Sequence, residues 1–202
     1  MREKRFHGAL ALQGVGLIIA LMALFSCVGV LPPVGRELPA PKSKPKVSSS
    51  NLEKEIHALI NKERRKRGLA PLEWDVTLAG IARKHSRDMV ERNYFSHASP
   101  DGLDFAYRYK QAGYACSIPM GKDIYTGAEN ILQTNMFDSI TKENGRVYYN
   151  WNSQEKIAET TVEIWLKSPA HRDNILAPFF RREGLGVVIA PDGKVYVTQN
   201  FC

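Results

Sequence analysis

The sequence lacks several patterns that would reveal a function directly. It contains no contiguous His-Glu-x-x-His metal motif, no internal repeat, and no serine or cysteine nucleophile beside a recognisable base. Most of the chain also lacks an excess of cations. Residues 51–202 carry 21 Lys+Arg against 19 Asp+Glu, whereas residues 1–50 carry 7 against 2. A nucleic-acid-binding domain concentrates basic residues on its folded part, so this distribution argues against nucleic acid as a partner.

Cysteine is scarce too, with 3 in 202 residues. Cys27 closes an N-terminal segment in which basic residues precede an apolar run from Ala9 to Phe25. That order is typical of an export signal. The run ends in LFSC, residues 24–27, which resembles the lipobox of bacterial lipoproteins. We therefore expect residues 1–27 to direct export and Cys27 to carry lipid, with an uncleaved anchoring helix as the alternative.

The other two cysteines, Cys116 and Cys202, are an even number, which suits one disulfide outside the cytoplasm. Two unpaired buried thiols are the alternative. Residues 28–50 are rich in Pro, Ser and Lys and show no apolar period. This composition predicts an extended tether, followed by one domain over residues 51–202.

Helix signals dominate the first half of that domain. The segment SNLE, residues 50–53, fits a capping box for a first helix that ends at Gly68, and Asp75 can cap a second helix. His85 falls on the apolar stripe of the second helix, which predicts a packed, hydrogen-bonded core histidine. A short helix is expected around residues 104–112.

The second half begins with a polar, weakly patterned stretch, residues 133–152. A connection of that length is usually either functional or disordered. Ser153 then starts a third long helix, and the apolar segments on either side of a Pro-Asp-Gly turn at 191–193 predict an antiparallel hairpin. Helices first and strands late, without βαβ alternation, indicate an α+β domain.

The segment WLKSPAHRDNIL, residues 165–176, contains a further helix start. Ser168 supplies a side-chain oxygen for the N-cap, and Pro169 follows with its φ already set and no amide hydrogen to satisfy. His171 therefore falls in the first turn. The positive end of the helix disfavours a positively charged imidazole, which leaves a ring nitrogen free to accept a metal or a hydrogen bond.

Five segments in a fixed order resemble the CAP superfamily of cysteine-rich secretory, antigen 5 and pathogenesis-related 1 proteins. They are closest to its bacterial secreted, SCP-like branch, and they read HSRDM, YFSHASPDG, AENIL, WLKSPAHRDNIL and GLGVVIA…VYVTQNF. The resemblance covers about residues 52–202. It implies a three-layer α-β-α sandwich with a central antiparallel sheet and an open cleft.

In many members of this superfamily, two histidines and two acidic residues line the cleft. The resemblance places His97, Glu129 and His171 at three of these positions. The fourth departs from the pattern, because Ser168 stands where the eukaryotic members have an acid. We therefore expect a cleft lined by His97, Glu129, His171 and Ser168, with an incomplete set of four.

Two neutral imidazoles and a carboxylate can bind Zn²⁺ with one position left for water. His97 and His171 are thus the candidate metal ligands, and Glu129 is the candidate general base. The same three side chains can instead hydrogen-bond one another and tie the cleft walls together.

These observations favour an exported, membrane-anchored binding module of the cell envelope over an enzyme. Family members bind sterols, fatty acids or partner proteins, so the expected ligand is an envelope lipid, glycan or peptide. The alternative is a metal-dependent hydrolase that uses His97, Glu129 and His171. A shared fold does not by itself imply a shared function.

Overall fold

The computed structural model describes residues 43–202, so the predicted export segment and Cys27 lie outside the described residues. The described part contains five helices and eight strands. In chain order they are α1 Ser49–Lys66, β1 Glu73–Trp74, α2 Val76–Glu91, α3 Phe105–Gln111, β2 Ile118–Met120, β3 Asp123–Tyr125, β4 Ala128–Asn135, β5 Phe137–Glu143, β6 Arg146–Trp151, α4 Gln154–Lys167, α5 Pro169–Leu176, β7 Arg182–Ile189 and β8 Lys194–Phe201.

The central sheet has the strand order β1-β7-β8-β4. Strands β7 and β8 form the predicted hairpin, β4 pairs antiparallel with β8, and the two-residue strand β1 pairs parallel with β7. Helix α2 covers one face of the sheet, and α1 with α4 covers the other. The predicted three-layer α-β-α sandwich with a mainly antiparallel sheet is confirmed.

The alternation of side chains along β7 explains how closely the layers pack. Leu185 and Val187 point into the large apolar core on the α1 side. Gly184 and Gly186 point to the opposite face, where a Cβ atom on either would overlap the backbone of α2. The sequence GLG therefore lets α2 lie directly on the sheet, because only hydrogen fits between the two backbones.

The helix ends agree with most of the local signals. Gly68 follows α1 with a φ of 72°, and the side chains of Asp75 and Ser153 cap α2 and α4. The predicted capping box at 50–53 is wrong, because the N-cap of α1 is Ser48. Glu53 is buried and has other partners: Arg83 donates to both of its oxygens, and the Val187 amide donates to Oε1.

The interpretation of residues 133–152 as a long irregular connection is also wrong. Strands β5 and β6 form an antiparallel hairpin there, turning at Asn144 and Gly145, whose φ angles are 49° and 75°. Two positive φ angles are what an Asn-Gly hairpin turn requires. Phe137, Tyr149 and Trp151 form an aromatic cluster at its base.

Two further features concern the periphery. Cys116 and Cys202 are joined by a disulfide, with their Cα atoms 5.6 Å apart, which confirms the predicted pairing. It ties the segment after α3 to the end of β8. Within residues 43–202, no helix has both the length and the apolar character needed to cross a membrane.

Candidate functional site

Glu129, on β4, is the centre of a group of polar side chains. Its carboxylate is 1 % exposed; Arg108 Nη2 donates to Oε2 at 2.7 Å and His97 Nδ1 donates to Oε1 at 3.0 Å. His85 Nε2 lies 3.9 Å from the same Oε1. We call His85, His97, Arg108 and Glu129 the cleft cluster. Glu129 and His97, which are 32 residues apart in the chain, thus meet in space.

Arg108 also holds the loop that carries His97. It lies in the last turn of α3, a short helix whose N-cap is Asp104, with the Asp104 carboxylate accepting from the Tyr107 amide. Its guanidinium donates to the carbonyl oxygens of His97 and Leu103, both at 3.0 Å. The backbone of the loop is therefore fixed, while the His97 side chain remains 51 % exposed.

His85 is the packed core histidine that the apolar stripe predicted. It is buried, and its Nε2 donates to the Ser96 carbonyl at 3.1 Å. Burial lowers its pKa, and the nearby Glu129 opposes that shift without reversing it. Burial also makes His85 part of the floor beneath His97.

Helix α5 lies beside the free edge of β4. Asn174 Nδ2 donates to the Glu129 carbonyl at 3.5 Å, and Trp165, at the end of α4, donates from Nε1 to the Ile131 carbonyl at 3.1 Å. These two side chains cover edge carbonyls that have no strand partner. Asn130 Nδ2 donates to the His171 carbonyl at 3.1 Å and so holds the first turn of α5 against β4.

His171 is half-buried in that first turn, as predicted. Its Nδ1 is buried without a hydrogen-bond partner among the described residues. Burial lowers its pKa, and the proximity of His97 lowers it further, so the ring is neutral at pH 7. The two imidazoles lie on either side of the β4 edge. His97 is on the loop after α2 and His171 is on α5, and His97 is near enough to lower the pKa of His171.

Ser168 occupies the N-cap position of α5, with Pro169 at N1, but its side chain makes no capping hydrogen bond. The predicted helix start is confirmed and the predicted capping bond is not formed. No hydrogen bond among residues 43–202 joins the Ser168 side chain to His97 or Glu129. Ser168 therefore lies outside the hydrogen-bonded cleft cluster, and its place in the cleft wall stays a prediction.

The donor set available to a metal is small. Both oxygens of Glu129 are engaged, and His97 Nδ1 is bound to one of them, so two imidazoles remain as free donors. Catalytic zinc sites use three protein ligands. Within residues 43–202, no group of three or more His, Cys, Asp or Glu side chains is arranged to hold a metal ion. A tightly held zinc ion does not fit this site.

A cavity of about 280 Å³ adjoins the cleft cluster, and His85 and Arg108 form part of its wall. Almost all of its lining side chains are polar or charged: Lys84, His85, Asp88, Arg92, Ser99, Asp101, Leu103, Tyr107 and Arg108. The polar ends of these side chains can exchange hydrogen bonds with a ligand, while their stems and the Tyr107 ring add apolar surface to the wall.

Three residues of the site escaped the sequence prediction. Arg108 looks like an ordinary surface cation of a short helix, and only its distance from Glu129 reveals its role. Asn130 and Asn174 lie beside predicted residues, in AEN and HRDN. The alternation of strand side chains was the usable signal for Asn130, since it must point away from Glu129.

Comparison with known proteins agrees with this architecture. The sequence pattern of the cysteine-rich secretory protein family (CAP) matches residues 57–201. The chain is 34% identical over 161 residues to YkwD of Bacillus subtilis, covering 76% of this chain and 48% of YkwD. It is 34% identical over 149 residues to the Bacillus subtilis membrane protein YlbC, covering 74% of this chain and 34% of YlbC. The chain thus spans about half of one relative and about a third of the other.

Solved structures show the same fold. An extracellular SCP-domain protein of Bacillus anthracis superposes with a TM-score of 0.55 at 26% identity, over 79% of this chain and 44% of that one. An outer surface protein of Borrelia burgdorferi gives a TM-score of 0.55 at 17% identity, over 79% of this chain and 97% of that one. The latter likeness concerns the fold alone. The chain belongs to the cysteine-rich secretory protein (CAP) family, in its bacterial SCP-like branch.

Proposed function

We propose that this chain is an exported binding module that holds a polar glycan or peptide of the cell envelope in the cleft between the His97 loop and α5. The observation that carries the proposal is the state of the cleft cluster. A half-exposed imidazole is fixed through Nδ1 by a buried carboxylate, which is itself neutralised by Arg108. Such an arrangement presents a rigid hydrogen-bonding group to a ligand.

The contacts of Glu129 favour binding over hydrolysis. A general base must reach the proton that it removes, and both oxygens of this carboxylate already accept from Arg108 and His97. Its orienting role toward His97 is the one that its geometry supports. The metal-dependent hydrolase therefore has less support, because it would need the same carboxylate to be free.

The cavity on the α2 and α3 side of the cluster lies next to this cleft and supports a glycan or peptide ligand, because it combines charged side chains with an aromatic wall. Tyr107 is 41% exposed at its wall and offers an aromatic face, while charged groups on α2 and α3 supply hydrogen-bonding partners. An apolar chain would leave these groups without partners, which costs free energy for each one buried.

Export and anchoring rest on the N-terminal sequence. The basic and apolar pattern of residues 1–27 supports export, and the similarity to the extracellular SCP-domain protein of Bacillus anthracis is consistent with it. We propose that lipid on Cys27 anchors the chain. Mass spectrometry of the chain purified from membranes should find an acylated Cys27, and an unmodified Cys27 would exclude the anchor.

Cosedimentation tests the binding proposal. The full-length chain is mixed with isolated peptidoglycan, a polar glycan–peptide polymer, and separately with anionic phospholipid vesicles. We expect His97→Ala to lose at least tenfold in affinity for peptidoglycan, because its exposed imidazole contacts the ligand. Lys142→Ala, on the distant β5–β6 hairpin, is the control and should bind normally. Binding to peptidoglycan that is unchanged by His97→Ala would contradict the proposal. So would binding to vesicles that His97→Ala weakens and Lys142→Ala does not, because the proposed anchor on Cys27 would bind vesicles equally in both variants.

A further inference from the structure

A second set of polar side chains lies on the opposite face of the sheet from Glu129. Asn130 follows Glu129 on β4 and therefore points toward α1 and α5. From Asn130, hydrogen bonds between side chains run across β8 and β7 to α1. We call this set the inner network; its members, from α5 to α1, are Asn174, Asn130, Gln199, Glu183, His57 and Asn61.

Glu183 determines which groups donate and which accept along the inner network. Glu183, fully buried, is a carboxylate and can only accept, so Gln199 must turn its Nε2 toward it. The Gln199 oxygen then faces Asn130 Nδ2 at 3.0 Å. Asn130 in turn presents its oxygen to Asn174 Nδ2 at 2.9 Å. The orientation of Gln199 thus follows from the carboxylate, and Asn130 takes the orientation that suits both Gln199 and the His171 carbonyl.

The α1 end of the network is equally determined. His57 Nδ1 donates to Glu183 Oε1, and Asn61 Nδ2 lies 3.3 Å from His57 Nε2. Asn61 is held by the Leu72 backbone, donating to its carbonyl at 2.9 Å and accepting from its amide at 2.7 Å. The partners of His57 therefore fix both its ring orientation and its tautomer.

The two ends of the network show what it connects. Its α5 end holds the cleft wall, since Asn130 donates to the His171 carbonyl and Asn174 to the Glu129 carbonyl. Its α1 end reaches the surface, where the His57 side chain is 23% exposed beside Trp74. Apolar side chains could fill this space without six matched polar groups. The network therefore fixes the orientation of its side chains more tightly than packing alone would.

We propose that the His57–Glu183 pair is a positioning device for the cleft, which sets the place of His171 and Asn174 through Gln199 and Asn130. Neither His57 nor Glu183 contacts a residue of the cleft cluster, so they act on the site only through the chain of amides. The inference rests on the proposed function only in taking α5 as a wall of the binding cleft.

The test uses nuclear magnetic resonance of the full-length chain and needs no ligand. In Glu183→Gln, the new side chain can accept from only one of its two donors, His57 and Gln199, and its own NH2 must face the other. Where it faces Gln199, that amide must turn, and Asn130 Nδ2 then loses its acceptor on β8. We expect the Asn174 side-chain amide and the His171 ring signals to shift, while the His97 ring signals stay in place.

The exchange variant Glu183→Gln with Gln199→Glu provides the rescue. In this double variant the amide introduced on β7 would accept from His57 and donate to the carboxylate introduced on β8. That carboxylate would again accept from Asn130. The Asn174 and His171 signals should return toward the wild-type positions, although a buried charge has moved. A role in packing or in charge balance alone predicts no such return.

A weaker variant covers the case in which Glu183→Gln fails to fold. His57→Gln, at the partly exposed end, should shift the same Asn174 and His171 signals in the same direction by a smaller amount. Signals that stay in place in His57→Gln, or an exchange variant that leaves them displaced, would overturn the proposal. Because the readout involves no ligand, failure of peptidoglycan binding would leave this result unaffected.

Discussion

The cleft cluster and the inner network are two polar assemblies on the two faces of one sheet, and they begin at neighbouring residues, Glu129 and Asn130. Each contains one fully or almost fully buried carboxylate, Glu129 in the first and Glu183 in the second. They differ in the groups that satisfy it. Glu129 is bound by a guanidinium and by an imidazole that is half-exposed, whereas Glu183 is bound by an amide and by a mostly buried imidazole.

This difference indicates a division of roles. A site that binds a ligand needs an exposed end, and the cleft cluster has one in His97. An assembly that only holds backbone in place is best buried, because a low dielectric strengthens its hydrogen bonds and keeps water from competing. The inner network is such an assembly, because its middle residues, Asn130, Gln199 and Glu183, are fully buried.

The largest expected loss of stability comes from replacing Arg64, which lies on the same side of the sheet as the inner network. Arg64 is fully buried and donates to the carbonyl oxygens of Ala70, Ile175 and Ala177, which joins α1 to the end of α5. Arg64→Met would leave these acceptors without partners, so we expect a loss of about 3–5 kcal/mol in the free energy of unfolding. Urea denaturation followed by tryptophan fluorescence measures it. Arg65→Met, one residue further on an exposed face, is the matched control and should unfold like the wild type.

A smaller effect is expected on the cleft side. Glu129→Gln keeps the size of the side chain but leaves the Arg108 charge without its carboxylate, so we expect a loss of about 1–3 kcal/mol. The His97 ring should also become more mobile, which its NMR line widths would reveal. Glu163→Gln removes the carboxylate of an exposed ion pair with Lys167 and should leave stability unchanged. Equal stability of the Glu129→Gln variant and the wild type would remove the distinction between a buried and an exposed carboxylate.

The smallest effect concerns pH. The pKa values of His85 and His171 are lowered by burial, so the unfolded chain takes up protons at these positions before the folded chain does. Their contribution is fully present above the unfolded value of about 6.5 and is lost as pH falls through the folded values. The free energy of unfolding should therefore decrease below about pH 6.5. His85→Gln should flatten this part of the curve, and a slope that the substitution leaves unchanged would show that other groups cause it.

Much of the fold follows from local chemistry that the sequence displays. The side chains of Asp75 and Ser153 bind amides two or three residues further on, and Gly68 ends α1 with a positive φ. The strands at the C-terminus are apolar segments on either side of a Pro-Asp-Gly turn. These features need only near neighbours in the chain, so they can be predicted without knowledge of the tertiary structure.

Two of the errors of prediction show where local chemistry is insufficient. The segment SNLE has the pattern of a capping box, but Glu53 finds Arg83 and Val187, which lie far along the chain. The β5–β6 hairpin was missed because most of its side chains are exposed and many are polar, although Val147, Tyr149 and Trp151 alternate along β6 and Asn144-Gly145 is a strong turn signal.

The sequence by itself determined most of the helix ends, the terminal hairpin and the identities of His97, Glu129 and His171 through an ordered set of motifs. Only the tertiary structure decided the partners of these groups. Arg108 neutralises Glu129, Trp165 and Asn174 cover the edge of β4, and Asn130 turns to the far side of the sheet. The physical reason is that a buried polar group must be satisfied by whatever partner the packing brings within hydrogen-bond distance, and that partner has no fixed separation in the sequence.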